Sequence, residues 1–146
     1  MTKTKNNIGF TVGTHGFHIG FTNGYTVSVQ FGPGNYCEPP GGRWGAFDGP
    51  LNDLKTNGTY FGGPTAEVAV FAPDGEFLRR IQPHDDVVGW CEPEKVAEFI
   101  ATVSRLPNEE GLSTEGVAAL REAARNNVRR ALGEALDADE DEPTDD

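Results

Sequence analysis

Between Phe17 and Phe31 the apolar residues fall on every second position, and the alternation is broken once, by Asn23-Gly24. Phe17, Ile19 and Phe21 alternate with His18 and Gly20. Tyr25, Val27, Val29 and Phe31 alternate with Thr26, Ser28 and Gln30. A period of two puts each apolar set on one face of an extended strand. Asn-Gly between two such runs is the usual signature of a two-residue type I′ hairpin turn. This pattern commits the chain to an antiparallel sheet with one apolar face. Ile8 to Val12 reads as a further edge strand, "AEVAVF" (66–71) as a strand, "PDG" (73–75) as a turn, and "EFLRRI" (76–81) as its partner strand. "VVGW" (87–90) is one more short apolar run.

Helical grammar follows. Pro93 suits a first helical turn, and Glu92 and Glu94 complement the positive end of the dipole. Val96, Phe99, Ile100 and Val103 recur at i, i+3, i+4 and i+7, the spacing of one helix face. Ser113 is placed to cap a second helix, with Leu112 and Val117 as a hydrophobic staple. Its stripe of Val117, Leu120, Ala124, Val128, Ala131 and Leu132, continued by Ala135 and Leu136, predicts more than 20 helical residues. The Ala-rich face favours close helix–helix approach, so a homodimer, or a larger homo-oligomer, through this helix is expected. The expected fold is α+β: a small antiparallel sheet of about five to six strands followed by two C-terminal helices.

Residues 32–64 differ in kind. They hold nine glycines and five prolines in 33 positions, a composition that sustains neither strand nor helix. They also carry Tyr36, Arg43, Trp44, Phe47, Tyr60 and Phe61, more aromatic surface than an idle linker needs. The expectation is a single domain over 1–136 with this segment as a lid or wall, followed by a disordered acidic tail, 137–146. That tail holds seven acidic residues and no basic ones. The chain's net charge is −11, and removing the tail leaves about −4. Like charges without apolar payload do not fold, and they disfavour duplex DNA and anionic membranes as partners. The start of the chain has no apolar leader core and no 18-residue apolar run exists, so a cytoplasmic location is expected, with Cys37 and Cys91 as reduced thiols.

Catalytic signatures are missing. His15, His18 and His84 with Cys37 and Cys91 lack zinc spacing, so neither a metal nor another cofactor is expected. "PHDD" (83–86) reads as a polar turn or as a place for acid–base chemistry. No GxxxxGK[ST] or GxSxG run occurs. Cations are more suggestive: Arg79 and Arg80 lie together, and Arg121, Arg125 and Arg129 recur every four residues along the second helix. Guanidinium forks suit carboxylate or phosphate. The same strip also serves as an ordinary solvated helix face.

The runs "FHIGFTNGYTVSVQFGPGNYC", "AEVAVFAPDGEF" and "DDVVGWCEPEKVAEFI" resemble a group of small phage proteins over residues 17–37 and 66–100, 56 of the chain's 146 residues. In layout, a sheet followed by paired helices resembles the Thoeris anti-defence sponge proteins, which bind nucleotide-derived immune signals without cleaving them. That second resemblance implies a phage accessory protein sequestering an anionic nucleotide-like molecule in the host cytoplasm. Such a ligand asks for aromatic faces and arginines. Tyr36, Arg43, Trp44, Arg79, Arg121 and Arg125 are the residues expected to supply them. An adaptor or inhibitor of a host protein, using the aromatic loop and acidic tail, fits the same features. A nucleotide hydrolase and a virion role stand further off.

Overall fold

The computed structural model describes residues 8–13, 15–31, 37, 64–82 and 85–133. Five strands form one antiparallel sheet in chain order: β1 (Gly9–Val12), β2 (Gly16–Gly20), β3 (Thr26–Gln30), β4 (Ala66–Phe71) and β5 (Val87–Cys91). Register follows the alternation in the sequence: Phe17 and Ile19 stand opposite Val29 and Val27, which stand opposite Val68 and Val70. These valines are buried and line one face. Helix α1 (Pro93–Ser104) lies across β3 and β4, and α2 (Thr114–Ala131) packs against α1. Phe99 and Val103 are fully buried, and Val128 and Leu132 complete the same core from the second helix. Each such side chain contributes about 1.5–3 kcal/mol when removed from water.

The helix boundaries have local causes. Pro93 occupies the first turn of α1, where its missing N–H costs nothing. Ser113 caps α2, its hydroxyl accepting from Gly116 N at 3.0 Å. The second helix stops after 18 residues, shorter than its apolar stripe implies, because Gly133 adopts a left-handed φ of +78° just past its end. Ala135 and Leu136 lie outside the described residues. No helix among those described is long and apolar enough to cross a membrane.

Three local expectations change. The turn at Asn23-Gly24 is not type I′, since only Gly24 has positive φ (+95°). Gly24 N donates to Phe21 O and Phe21 N to Tyr25 O, closing a three-residue loop with a glycine bulge. A Cβ on Gly24 would come within 2.9 Å of Pro73, so this close approach also requires glycine.

Residues 76–81 are not a strand. Phe77 bridges Phe71 and Leu78 N donates to Val70 O, but Arg80 then turns left-handed (φ +55°). That turn buries Leu78 and Ile81 together, three positions apart, which strict alternation cannot do.

Finally, Thr26 and Ser28 on the polar side of β3 are buried as well, because β3 is the middle strand of five. Both cysteines are buried.

Candidate functional site

A cleft of about 470 Å³ opens where the 22–24 turn, the 73–74 turn and the connection between the helices meet. Pro73, Leu112 and Val117 give it apolar walls, and Asp74, Glu109, Glu110 and Arg121 give it charge. Its floor is one connected network. Arg121, from the second turn of α2, donates from Nε to Glu109 Oε2 at 2.6 Å and from Nη2 to Oε1 at 2.9 Å, a bidentate pair. Its Nη1 reaches Asp74 Oδ2 at 3.2 Å. The hydroxyl of Tyr25 donates to Glu109 Oε2 at 3.1 Å.

Burial sharpens these contacts. The Glu109 side chain is 10% exposed and that of Arg121 23%. Tyr25 is fully buried. Removal from water, then the neighbouring Glu109 carboxylate, hold the Tyr25 hydroxyl well above the ordinary phenol range. Its bond to Glu109 likewise holds Arg121 above the usual guanidinium range, so it stays cationic at any working pH. With two carboxylates on its guanidinium and Glu110 lining the same cleft, Arg121 leaves no spare positive charge there for an anion among the described residues.

The cleft is held shut on one side by Asn23. Its Nδ2 donates to the carbonyls of Val103 and Leu106, both at 2.9 Å, while its Oδ1 accepts from Tyr25 N at 3.0 Å. Val103 lies in the last turn of α1 and Leu106 two residues past its end, where helix geometry leaves acceptors without intrahelical donors. A residue of the turn between β2 and β3 thus caps a helix 80 residues later in the chain.

One helical turn beyond Arg121, the second grouping forms. Arg125 Nε donates to the backbone carbonyl of Arg79 at 2.7 Å. Arg79 is 74% exposed in its side chain and lies 3.9 Å from Asp86. Arg80 N donates to Asp86 Oδ1 at 2.6 Å, an anchor that holds its left-handed backbone. Asp85 Oδ1 accepts from Asp86 N and Val87 N, so the described half of "PHDD" behaves as a polar turn. The Arg125 side chain therefore meets the backbone of the segment that carries Arg79 and Arg80.

Of the six residues singled out from sequence, Arg79, Arg121 and Arg125 lie along one side of the molecule, with Arg121 turned to carboxylates. Tyr36, Arg43 and Trp44 lie outside the described residues, as does His84. The arginine strip of α2 is not one solvent face: Arg121 lines the cleft, Arg125 is half-buried, and Arg129 is fully buried. Of the Ala-rich stripe expected at a dimer seam, Ala124, Val128 and Leu132 are buried in the chain's own core, while Val117, Leu120 and Ala131 are part-exposed. Asn23, Tyr25, Asp74 and Glu109 were not legible as site residues, since their partners are 12 to 84 positions distant. Among the described residues no group of three or more His, Cys, Asp or Glu is placed to hold a metal. Comparison with protein-family models, curated proteins and solved structures returns no match for this chain.

Proposed function

We propose that this protein is a phage accessory protein that binds and sequesters an anionic, nucleotide-derived signalling molecule without turning it over. The observation that supports the reading is the Arg125-to-Arg79 contact, in which a guanidinium from α2 reaches the backbone of the segment that carries the exposed Arg79 and, next to it, Arg80. Guanidinium groups suit phosphate oxygens. The ligand contact is assigned to Arg79, Arg80 and Arg125. Arg121 stands behind them as a fixed charge held by Glu109 and Asp74, not as a phosphate fork. A bound phosphate would displace Asp86 from Arg79, an exchange at an exposed and weak ion pair. The phage origin rests on the sequence resemblance and the nucleotide class on the resemblance in layout.

The test is calorimetric titration of the full chain with a panel of mono-, di- and triphosphate nucleotides and cyclic phosphodiesters, followed by heat release and mass analysis of the bound molecule. Sequestration requires saturable binding and release of the ligand intact. Arg79→Glu combined with Arg125→Glu should weaken it by roughly a hundredfold. Unchanged affinity in that variant, or no binding across the panel, would refute the reading. A polypeptide co-purifying in place of any nucleotide would favour the adaptor or inhibitor reading.

A further inference from the structure

Along β4, Val70 belongs to the core and Phe71, next in the alternation, faces the other way, opposite Thr26 on the polar side of β3. Phe77 bridges to Phe71 in antiparallel register, which puts its side chain on that same face. Their rings stack, with 4.8 Å between centroids and 28° between planes. His18 tilts against Phe71 at 5.8 Å. Phe71 thus covers one face of the Phe77 ring. Phe77 is nevertheless 41% exposed, and among the described residues no third ring stacks on it. A ring held in place by a second ring behind it is a fixed platform, so a planar ligand meets it at little ordering cost.

Positive charge lies beside the platform. Leu78 is buried in the core, so its neighbours Phe77 and Arg79 project to the opposite side of the chain, the left-handed turn beginning only at Arg80. Two residues of extended backbone set them roughly 6–7 Å apart. The Arg79 side chain is 74% exposed, and its one ion pair, with Asp86, is 3.9 Å long. A flat apolar face and a guanidinium at this spacing match the base and the phosphate of one nucleotide.

We infer that Phe77 is the base-stacking residue of the ligand site. The base of a nucleoside phosphate lies on the outer face of Phe77 as the third ring of the Phe71–Phe77 stack, and its phosphate takes Arg79 in exchange for Asp86. The inference rests on the ligand reading above and adds the half of the ligand that the arginines do not contact. It also states what the site selects. Arginines alone accept any phosphate, whereas a ring face favours a planar group over a bare sugar. Every base has such a face, so stacking separates nucleotides from sugar phosphates and not one base from another.

The experiment is calorimetric titration of the full-length chain with adenosine 5′-monophosphate and with ribose 5-phosphate. Alongside it, the fluorescence of 2-aminopurine riboside 5′-monophosphate is followed, which is quenched when its base stacks. The wild type should bind the nucleotide roughly tenfold or more tightly than the sugar phosphate, and should quench the fluorescent base. Phe77→Leu keeps apolar bulk against Phe71 but removes the ring face. It should weaken nucleotide binding by roughly tenfold, leave ribose 5-phosphate binding unchanged and abolish the quenching, while Phe77→Trp retains all three wild-type results. If Phe77→Leu does not fold, the wild-type preference and quenching decide. Equal affinity for the two ligands, or a Phe77→Leu variant that binds and quenches like wild type, would overturn the inference and leave the ligand reading standing. No binding of the monophosphate would also overturn it, and the ligand reading falls with it only if the whole nucleotide panel is silent.

Discussion

Truncating Asn23 to alanine should reveal how the sheet and the helices are joined. The side chain makes three hydrogen bonds: two donated to the carbonyls of Val103 and Leu106, and one accepted from Tyr25 N. A hydrogen bond contributes about 1 kcal/mol net, and a buried partner left unmade costs 1–3 kcal/mol. These groups are only part-buried, so water recovers some of the loss. Asn23→Ala is therefore expected to cost about 2–3 kcal/mol, or a melting temperature lower by roughly 5–10 °C for a chain of this size. Asn23→Asp keeps the acceptor for Tyr25 N but turns a carboxylate toward two carbonyl oxygens. It should cost more than alanine at neutral pH. Urea unfolding followed by circular dichroism measures both, with an unchanged slope expected. If Asn23→Ala lies within ~0.5 kcal/mol of wild type, or if aspartate is the milder change, this account of the helix cap is wrong.

Other outcomes follow from the same network and from the strained backbone. Because the Tyr25 hydroxyl is held above its ordinary value, the unfolded chain releases this proton first. Its stabilising contribution is complete below about pH 10 and declines above it; that decline, read from denaturant midpoints across alkaline pH, should be smaller in Tyr25→Phe. Arg121→Met alone leaves the nearly buried Glu109 carboxylate uncompensated. Adding Glu109→Gln should restore part of the loss, and a double-mutant cycle should give a coupling of about 1–3 kcal/mol. Additive effects would show that the pair is decorative. At Arg80, φ of +55° favours glycine, so Arg80→Gly should hold or raise stability by up to about 1 kcal/mol while Arg80→Val lowers it. Equal midpoints for the two variants would argue against strain at that position.

Alternation and capping made much of the fold legible. The period of two from Phe17 to Phe31 and in "AEVAVF" fixed which valines share a face, and the i, i+4 spacing in α1 placed Phe99 and Val103 inward, because these patterns depend only on local geometry. Ser113 and Pro93 marked helix starts for the same reason. Local rules were less informative wherever a distant contact chose among allowed conformations. Asn23-Gly24 is compatible with several hairpin loops; the demand of the α1 carbonyls for a donor accompanies the three-residue form. "EFLRRI" reads as a strand until burial of Leu78 and Ile81 and the grip of Asp86 on Arg80 turn it aside. The arginines of α2 share a spacing, yet neighbours separated from them by 12 to 47 positions give each a different role: Glu109 and Asp74 neutralise Arg121, and the Arg79 carbonyl holds Arg125. Sequence by itself determined the pattern of faces and the supply of charges. Tertiary structure decided which charges meet, because a guanidinium takes its chemical role from what lies within 3–4 Å of it, and spacing along the chain does not specify that.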